Sequence, residues 1–423
     1  MKIQKSIGLA SFAFLLGACG EGTEPVSVIA FRGAVVWDGS GAPAAPATLW
    51  VADGRIHAVT DPAEEPEGIV IADEVDLTGS YVIPGLINTH GHVSGLWADE
   101  DITGEVDRVR GDLELFARYG VTTVNSLGDT DVVVATRDQA TPSDPRARLL
   151  AAGPVITASD PTAARASAEA NADLGVDWLK LRVDDNLGMT EKMPWEAVEA
   201  VLDVGAERGI PVATHMFYLD DARRLLEMGT GMLAHSIRDT DVDDRFIAQL
   251  RASDVCYVPT LTREVSTFIY AERPQFFDDA FFTRDANPDQ LERVSDPEFM
   301  ARMAESPAAA GYRDALLVAT RNMKRLSDEG LPVAMGTDAG PAGRFPGYFE
   351  HLELWMMVDG GMTPEEALLS ATSVAASCLD RSDIGVLDSG AWADFIVLDG
   401  NPLENIRATS TLEDVYIAGR AIN

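Results

Sequence analysis

The chain has 423 residues, with 33 lysines and arginines against 68 aspartates and glutamates, so its formal net charge is −35. A chain of this length supports a barrel-sized domain and a smaller one. The acidic balance argues against nucleic-acid binding and against electrostatic docking on anionic lipid, and the dispersed acidic residues are typical of a solvated surface.

The first 19 residues predict a lipoprotein signal peptide. Lys2 and Lys5 precede an apolar run over 7–16, which has signal-peptide length and is too short to span a bilayer. The following Leu-Gly-Ala-Cys19 resembles the bacterial lipobox, whose cysteine carries acyl chains. We therefore expect lipid attachment at Cys19 on the periplasmic face of a bacterial membrane, and of the outer membrane in particular, because Gly20 follows. A plain secretory signal and a secreted protein are the alternative.

Short strands and turns fill residues 26–84 and return over 385–423. The Asp-Gly pairs at 38–39 and 53–54 lie between alternating apolar residues, which indicates hairpins. The late stretches ADFIVLDGN and LEDVYIAGRAI repeat this style. We therefore predict one β-sandwich domain built from both termini.

Residues 85–384 alternate apolar runs with amphipathic stretches, which predicts an α/β fold. Eight such units predict a (β/α)8 TIM barrel. A helix over 194–208 begins with a proline and stops at Gly209, and Thr363 with Glu366 forms a capping-box pattern. The runs predict strands that end near His92, Gly128, Ile156, Val183, Phe217, Ile237, Leu261 and Asp338.

An insert at about 262–307 interrupts the alternation and is rich in phenylalanine. Because loops after barrel strands lie at the active-site mouth, the insert is either a lid with an apolar substrate wall or a set of extra helices packed on the barrel or at a dimer surface. Besides Cys19 the chain has only Cys256 and Cys378. Two thiols make no disulfide framework, so we expect both to be buried and reduced.

Four of the six histidines follow apolar runs that predict strand ends. His90 and His92 lie two residues apart, so strand alternation turns both imidazoles the same way. His215 and His235 end two later runs, and Asp338 ends the eighth. Imidazoles and a carboxylate at the carboxyl ends of parallel strands are what a hydrolytic zinc-type site needs.

The order His-x-His, Lys, His, His, Asp, together with its flanking text, resembles the amidohydrolase superfamily and its imidazolonepropionase-related, prolidase-like branch. The resemblance covers nearly the whole mature chain. The matching pieces are VIPGLINTHGH, YGVTTVNSLGD, GVDWLKLRVDD, VATHMFYLDDARRLLEMGTGMLAHS, MGTDAG, GMTPEEALLSATSVAA and GAWADFIVLDGNPLENI.

The resemblance implies a binuclear site with two divalent metal ions, in the first place zinc, with manganese, iron or cobalt as alternatives. The resemblance also implies that a metal-bound hydroxide would attack the substrate, with Asp338 as the general base and then the general acid. Carried over to this sequence, the ligands are His90, His92 and Asp338 for the first metal, His215 and His235 for the second, and Lys180 for both.

Lys180 decides the metal count. A free ammonium inside a barrel strand is costly, whereas a neutral amine can react with carbon dioxide, and the resemblance implies that Lys180 is such a carbamate. Two divalent ions beside neutral imidazoles and one carboxylate also need further negative charge. The alternative is a salt bridge from Lys180 to Asp184 or Asp185.

Substrate-binding residues are expected just past the ligand strands. Tyr218 follows His215, and Arg182 and Asp184 follow Lys180, so all three lie near the mouth, where packing or salt bridges at the barrel rim are the alternative. His351 begins a helix, and we interpret it as a packing residue rather than a proton shuttle. The NSLGD text at 125–129 departs from the RDLGG-like text of the branch, which weakens the transfer of its dipeptidase specificity.

These features predict a hydrolase that cleaves a C–N bond of an amide, peptide or cyclic amide, with an Xaa-Pro-like dipeptidase favoured and a lactam or xenobiotic amide hydrolase next. A lactonase or esterase uses the same groups. A mononuclear aminohydrolase ranks lower because no glutamate follows His215 closely. A non-catalytic metal-binding lipoprotein is disfavoured because it would not need Asp338 beside a full ligand set. We expect a small amide or dipeptide as the partner, membrane contact only through the lipid anchor, and compatibility with homo-oligomers.

Overall fold

The computed structural model describes residues 25–99 and 101–422, so the predicted signal peptide and Cys19 lie outside the described residues. The strands are β1 (Val26–Arg32), β2 (Val35–Val36), β3 (Ala45–Pro46), β4 (Thr48–Ala52), β5 (Arg55–Thr60), β6 (Ile69–Asp76), β7 (Tyr81–Pro84), β8 (Leu86–Gly91), β9 (Val121–Ser126), β10 (Arg148–Ala151), β11 (Leu179–Arg182), β12 (Val212–His215), β13 (Met232–Ala234), β14 (Cys256–Val258), β15 (Phe395–Leu398), β16 (Leu412–Ile417) and β17 (Arg420–Ile422).

The α-helices connect and cover these strands. They are α1 (Glu105–Arg118), α2 (Asp131–Asp138), α3 (Pro161–Asp173), α4 (Trp195–Arg208), α5 (Leu219–Met228), α6 (Asp244–Arg251), α7 (Leu261–Ser266), α8 (Ala280–Thr283), α9 (Pro288–Ser295), α10 (Pro297–Ala304), α11 (Pro307–Asp328), α12 (Tyr348–Asp359), α13 (Pro364–Ser370) and α14 (Ser373–Cys378). None of the helices in the described ranges combines the length and apolar composition needed to cross a membrane.

Strands from both ends of the chain pair with each other. One sheet has four strands in the order β5-β4-β1-β6, and another has six in the order β17-β16-β15-β7-β2-β3. In the second sheet Val82 of β7 lies opposite Val397 of β15. The rings of Phe31 and Phe395 pack edge to face with centroids 5.0 Å apart, which adds directional packing to the burial of apolar surface. The domain limits at residues 84 and 385 stay a prediction.

Only one of the two predicted Asp-Gly hairpins is tight. Asp53 and Gly54 form the two-residue turn between β4 and β5 with φ angles of 50° and 79°, which suits a turn whose two central residues both need positive φ. Asp38 and Gly39 instead lie inside the longer connection over 37–44 between β2 and β3. The Asp-Gly pattern therefore indicates a turn correctly in both places, but it indicates the length of the turn correctly only at residues 53–54.

Seven parallel strands form the middle of the chain in the described ranges. They make a three-stranded sheet, β10-β9-β8, and a four-stranded sheet, β11-β12-β13-β14. The mixed α/β class is confirmed, whereas closure into a (β/α)8 barrel stays a prediction, because the eighth apolar run contributes an isolated bridge and no strand. Links between the sheets include the bridges Ile156–Leu181 and Tyr257–Val333 and the hydrogen bond from Thr89 N–H to Met335 O at 3.0 Å.

Local sequence signals place two helices as predicted. α4 follows Pro194 and ends at Gly209, whose φ of 65° is the left-handed conformation that terminates helices. At α13 the Thr363 hydroxyl accepts the Glu366 N–H, and the Glu366 carboxylate accepts the Thr363 N–H at 2.7 Å. Both the stop signal and the capping box are confirmed.

The aromatic residues of the 262–307 insert pack inward. Phe277, Phe281 and Phe282 are buried, and the carbonyl of Phe282 accepts the Tyr119 hydroxyl of the segment after α1 at 2.9 Å. The ring of Phe276 lies 5.2 Å from that of Tyr348 at the start of α12. These contacts favour extra helices packed on the domain over an apolar substrate wall.

Cys256 and Cys378 form a disulfide, so the prediction that both are reduced is wrong. The bond joins buried β14 to the end of α14, with Cα atoms 5.8 Å apart and 122 residues between them in sequence. Two cysteines are too few for a framework but enough for one bond. Their proximity follows from the packing of α14 against the parallel sheet, which spacing along the chain does not reveal.

Candidate active site

Side chains of ligand type converge at the carboxyl ends of the parallel strands. Three non-glycine residues there have left-handed backbones: His235 with φ 76°, Thr260 with φ 49° and Asp338 with φ 58°. Non-glycine residues rarely adopt this backbone conformation because it is strained. The strain persists where the surrounding structure holds the residue in place, often at functional sites. The residues predicted as ligands are His90 on β8, His92 just after it, Lys180 on β11, His215 at the end of β12, His235 just after β13, and Asp338 after the eighth run.

His90, His92 and Asp338 lie together, with one ligand atom from each within 4.8 Å of the others. Nε2 of His92 lies 2.7 Å, and Nε2 of His90 lies 3.4 Å, from the same Oδ1 of Asp338. The two imidazoles share one side because the residues are two apart. This group has the donor chemistry of a metal site with two nitrogens and one oxygen.

The charges of this group are strongly coupled. Burial would lower the pKa of His92, but the carboxylates of Asp129 and Asp338 outweigh it and raise that pKa to about 9. Burial would raise the pKa of Asp338, but Arg344, His92 and His90 hold it well below its usual range. Burial lowers the pKa of His90 well below its usual value. Asp338 is therefore held as a carboxylate, the form that binds a metal ion.

Lys180, His215 and His235 continue the cluster. Nζ of Lys180 lies 3.2 Å from Nε2 of His90. The His235 ring lies between two others, with centroids 4.6 Å from His90 and 4.1 Å from His215. Burial lowers the pKa of Lys180 to about 7, so a substantial share of the amine is neutral near neutral pH. The structure therefore brings together all six residues predicted as ligands.

Three of the four histidines are oriented by a partner on one ring nitrogen. A ligand histidine typically uses its second nitrogen in this way, which fixes the ring while the first nitrogen meets the metal. The pairs are His92 Nδ1 with Asp129 at 3.4 Å, His215 Nε2 with Asp184 at 2.7 Å, and His235 Nδ1 with Thr260 at 2.6 Å.

The cluster fits divalent metal ions. Burial lowers the pKa of His215 to about 3 and that of His235 well below its usual value, so both offer neutral nitrogens. Nδ1 of His90 is buried without a hydrogen-bond partner among the described residues. The neutral amine of Lys180 is the form that reacts with carbon dioxide. His90, His92, His215, His235, Lys180 and Asp338 could therefore hold two ions.

The three residues predicted to bind substrate have different surroundings. Asp184 is buried, and its Oδ2 contacts Nε2 of His215 at 2.7 Å, so it orients a histidine that is predicted to be a ligand. The Tyr218 hydroxyl donates to Asp185 at 2.8 Å, and Arg182 donates to Asn186. Tyr218 and Arg182 thus make polar contacts at the rim of the site, which was the alternative to substrate binding. Their role in substrate binding stays a prediction.

His351 packs within the domain. It is fully buried on α12, its Nε2 donates to the Tyr119 carbonyl at 2.7 Å, and the Phe281 ring lies edge to face against it. Burial lowers its pKa to about 4. A neutral, fixed imidazole agrees with the interpretation of a packing residue.

The sequence reasoning missed a set of arginines at the site. Arg344 pairs with Asp338 and donates from Nε to the Ser266 hydroxyl at 3.0 Å. Arg263 and Arg238 both contact the buried carboxylate of Glu264. Arg238 and Arg344 follow the predicted ligands His235 and Asp338 within six residues, and Arg263 follows the end of β14. This position is the sequence signal that marks them.

The profile of the amidohydrolase family matches residues 81–422, and the chain belongs to this family. The imidazolonepropionase of Streptomyces avermitilis is 45% identical over 78 residues, which cover 18% of this chain and 19% of that protein. The chain thus matches about a fifth of the length of this curated relative. Family membership confirms the predicted resemblance, including its imidazolonepropionase-related, prolidase-like branch.

Two solved structures agree with the whole fold. A prolidase-type protein from Bifidobacterium longum is 25% identical, with a TM-score of 0.75 over 94% of this chain and 95% of that one. An Xaa-Pro dipeptidase with bound methionine is 20% identical, with a TM-score of 0.72 over 93% of this chain and 99% of that one, and this likeness concerns the fold alone. Family membership and these two likenesses agree on the fold of the whole chain.

Proposed function

We propose that the chain is a binuclear metal-dependent amidohydrolase on a (β/α)8 barrel, with an Xaa-Pro-like dipeptidase as the favoured subclass. One observation carries this proposal: four imidazoles, the buried amine of Lys180 and the carboxylate of Asp338 converge at one edge of the parallel strands. Each of these side chains supplies a different part of one hydrolytic site.

The chain's own residues divide the work of amide hydrolysis. His90, His92 and Asp338 would hold one ion, His215 and His235 the other, and a carboxylated Lys180 both. Zinc is the favoured metal. When bound, such ions lower the pKa of a water molecule and polarise a carbonyl.

Asp338 has the position for two proton transfers. Its Oδ1 faces the imidazoles of His92 and His90, and its Oδ2 faces Arg344. We assign to Asp338 the removal of a proton from the attacking water and its delivery to the leaving nitrogen. Asp129, Asp184 and Thr260 would keep the ligand rings oriented during the reaction.

The proposal includes an extracytoplasmic location, with lipid attachment at Cys19. The Cys256–Cys378 disulfide supports this location, because disulfides form and persist in oxidising compartments such as the bacterial periplasm. Labelling with radioactive palmitate tests the anchor, and a Cys19→Ala variant that still carries label would contradict it.

Metal stoichiometry of the purified chain tests the binuclear site. The protein is purified without added metal or chelator and measured by plasma mass spectrometry. It is compared with Lys180→Ala and with the control Lys324→Ala, whose lysine pairs with the exposed Asp328 on the same helix, α11. We expect two ions per chain in the wild type and control, and one or none in Lys180→Ala. One ion or none in all three, without recovery in zinc and bicarbonate, would refute the binuclear site.

Substrate profiling then tests the subclass. Metal-loaded protein is assayed against Xaa-Pro dipeptides, other dipeptides, a lactam and a lactone. Preferred turnover of Xaa-Pro dipeptides supports the favoured subclass. Turnover of the lactone alone would move the chain to the lactonases, and a metal-loaded chain without any turnover would favour the non-catalytic metal-binding lipoprotein.

A further inference from the structure

We propose that Glu350 is a positioning residue that holds His90 and Asp338 in place relative to each other. Glu350 lies on α12, outside the strands and turns that carry the six predicted ligands. It would act by joining two chain segments and not by contact with substrate or metal. This role rests on the proposed function, because it concerns two of the residues that would carry the reaction.

Glu350 is fully buried among neutral hydrogen-bond donors. A carboxylate at the third position of a helix commonly turns back to accept the N–H of the residue before the helix. Oε2 does so here and accepts the Gly347 N–H at 2.6 Å. Oε1 instead accepts the side-chain amide of Asn88 and the hydroxyl of Thr337, both at 2.6 Å. One buried carboxylate therefore bonds to α12 and to two segments of the candidate active site.

The amide of Asn88 carries the contact to His90. Its nitrogen donates to Oε1 of Glu350 at 2.6 Å and to the Thr337 hydroxyl at 2.8 Å, which uses both of its N–H groups. Its oxygen is turned the other way and accepts the backbone N–H of His90 at 2.9 Å. Because Asn88 lies two residues before His90 on β8, a fixed amide also fixes the end of the strand that carries this imidazole.

The hydroxyl of Thr337 carries the contact to Asp338. It accepts the Asn88 amide at 2.8 Å and the Ala339 N–H at 3.0 Å. A hydroxyl has one proton to donate, and here the acceptor is Oε1 of Glu350. Thr337 and Ala339 flank Asp338, whose backbone φ of 58° is strained and persists only where its surroundings hold it. The carboxylate thus orients the hydroxyl that holds the turn around Asp338.

The same two segments also meet through their backbones. The N–H groups of Thr337 and Asp338 both donate to the carbonyl of His90, at 3.1 and 2.7 Å. The carboxylate of Glu350 adds a side-chain connection, and a fully satisfied network of buried hydrogen bonds makes the structure around it rigid. We therefore infer that this carboxylate helps to set the 3.4 Å separation between Nε2 of His90 and Oδ1 of Asp338.

Three variants test this role by hydrogen exchange of the metal-free protein. Glu350→Met removes both acceptor oxygens, and Glu350→Gln keeps one of them. The control Glu366→Met removes a carboxylate at the same position of α13, where it accepts the Thr363 N–H at 2.7 Å. The control therefore reproduces the loss of a helix cap without any change at Asn88 or Thr337.

Exchange is measured by mass spectrometry over the segments 86–92 and 335–340. We expect it to quicken by about 10-fold or more in Glu350→Met, because a buried donor in each segment loses its acceptor. Glu350→Gln should lie between this variant and the wild type, and Glu366→Met should match the wild type in both segments. Unchanged exchange in both segments, or an equal increase along the whole chain, would overturn the positioning role.

A second pair of variants applies if Glu350→Met does not fold. Thr337→Val removes the hydroxyl with little change in shape, and Thr337→Ser retains it. Only the valine variant should quicken exchange over 86–92 and 335–340, because only there does the Ala339 N–H lose its acceptor. Equal exchange in the two variants would overturn the role.

Zinc binding connects the exchange result to the site. In chelator competition the affinity should be about 10- to 100-fold lower in Glu350→Met and unchanged in Glu366→Met, as is typical when a residue that orients a ligand is lost. In zinc-saturated protein kcat for alanyl-proline should fall while KM stays the same, because substrate does not reach the buried Glu350. Faster exchange with unchanged zinc affinity and unchanged kcat would overturn the role and leave Glu350 as a structural residue of α12.

The exchange measurement separates failure of this role from failure of the proposed function. If the wild type binds no zinc, the binuclear site fails, and exchange in the metal-free protein alone decides whether Glu350 holds His90 and Asp338. Faster exchange confined to the segments 86–92 and 335–340 would then still support the role. Unchanged exchange there would overturn it together with the proposed function.

Discussion

The disulfide between Cys256 and Cys378 gives a quantitative prediction for stability. It closes a loop of 122 residues between β14 and α14. In the chain-entropy account, a crosslink of this span removes about 16 cal/mol/K from the unfolded state, or about 4.9 kcal/mol at 25 °C. Divided by the unfolding entropy of a chain of about 400 residues, this free energy corresponds to a decrease of roughly 6 °C in Tm when the disulfide is absent.

The perturbation is the double variant Cys256→Ala/Cys378→Ala. Its urea unfolding is followed by tryptophan fluorescence beside the wild type, with equal metal loading and with or without a phosphine reductant. We expect the variant to unfold at a lower urea concentration, with a loss of about 2–5 kcal/mol in the free energy of unfolding, as is typical when a native disulfide is removed. The reductant should bring the wild type to the same midpoint and leave the variant unchanged.

Two results would refute this reasoning. If wild type and variant share one midpoint in the absence of reductant, the bond does not form in solution or constrains a region that is already ordered in the unfolded chain. If the reductant shifts the variant equally, its effect comes from the metal site and not from the disulfide. A mass increase of two hydrogen atoms on reduction shows directly whether the bond was present.

Asp129→Asn should weaken metal binding by about 10- to 100-fold, because the Asp129 carboxylate orients His92; unchanged affinity in chelator competition would exclude that role. Arg148→Met should cost about 3–5 kcal/mol in urea unfolding, because it leaves the buried Asp394 carboxylate unpaired, and a smaller loss would show that water reaches it. Burial lowers the pKa of His351 to about 4, so its neutral form stabilises the fold above pH 6.5 and this contribution is lost as the pH falls toward 4. Over that range the free energy of unfolding of His351→Gln should fall by about 3 kcal/mol less than that of the wild type. Parallel pH profiles of the two proteins would contradict this.

The candidate ligands could be predicted because regular strands place them. Alternation sets the direction of His90 and His92, and the carboxyl ends of neighbouring parallel strands meet at one edge. Lys180 could be predicted because an ionisable residue within an apolar strand pattern is unusual. These arguments need only local periodicity and the order of strands, which the sequence contains.

The supporting residues could not be predicted because loop geometry places them. Asp129 and Thr260 reach ring nitrogens through turns whose backbone angles no short pattern specifies. Arg344 reaches Asp338 across a six-residue segment and meets Ser266 of the insert. Such partners depend on how two separate loops pack, and this follows from the whole fold.

The insert shows a related limit. Its phenylalanines form an apolar set that the sequence shows, but apolar composition does not say which surface a segment covers. Phe276 and Phe282 pack with Phe345 and Tyr348 around the start of α12. The rings therefore bury one another within the domain. The sequence alone does not distinguish this packing from an apolar surface that faces the substrate.

The pairing of β7 with β15 has a consequence for how the protein assembles. Val82 meets Val397, and the chain passes from β7 into β8, which carries His90, after a single residue. Contacts between such distant residues form late, since a large loop must close first. One edge of β7 therefore stays unpaired until β15, near the other end of the chain, is also in place. Arrival of the last strands, rather than pairing of the early ones, would set the time at which the hydrolytic edge acquires its final shape.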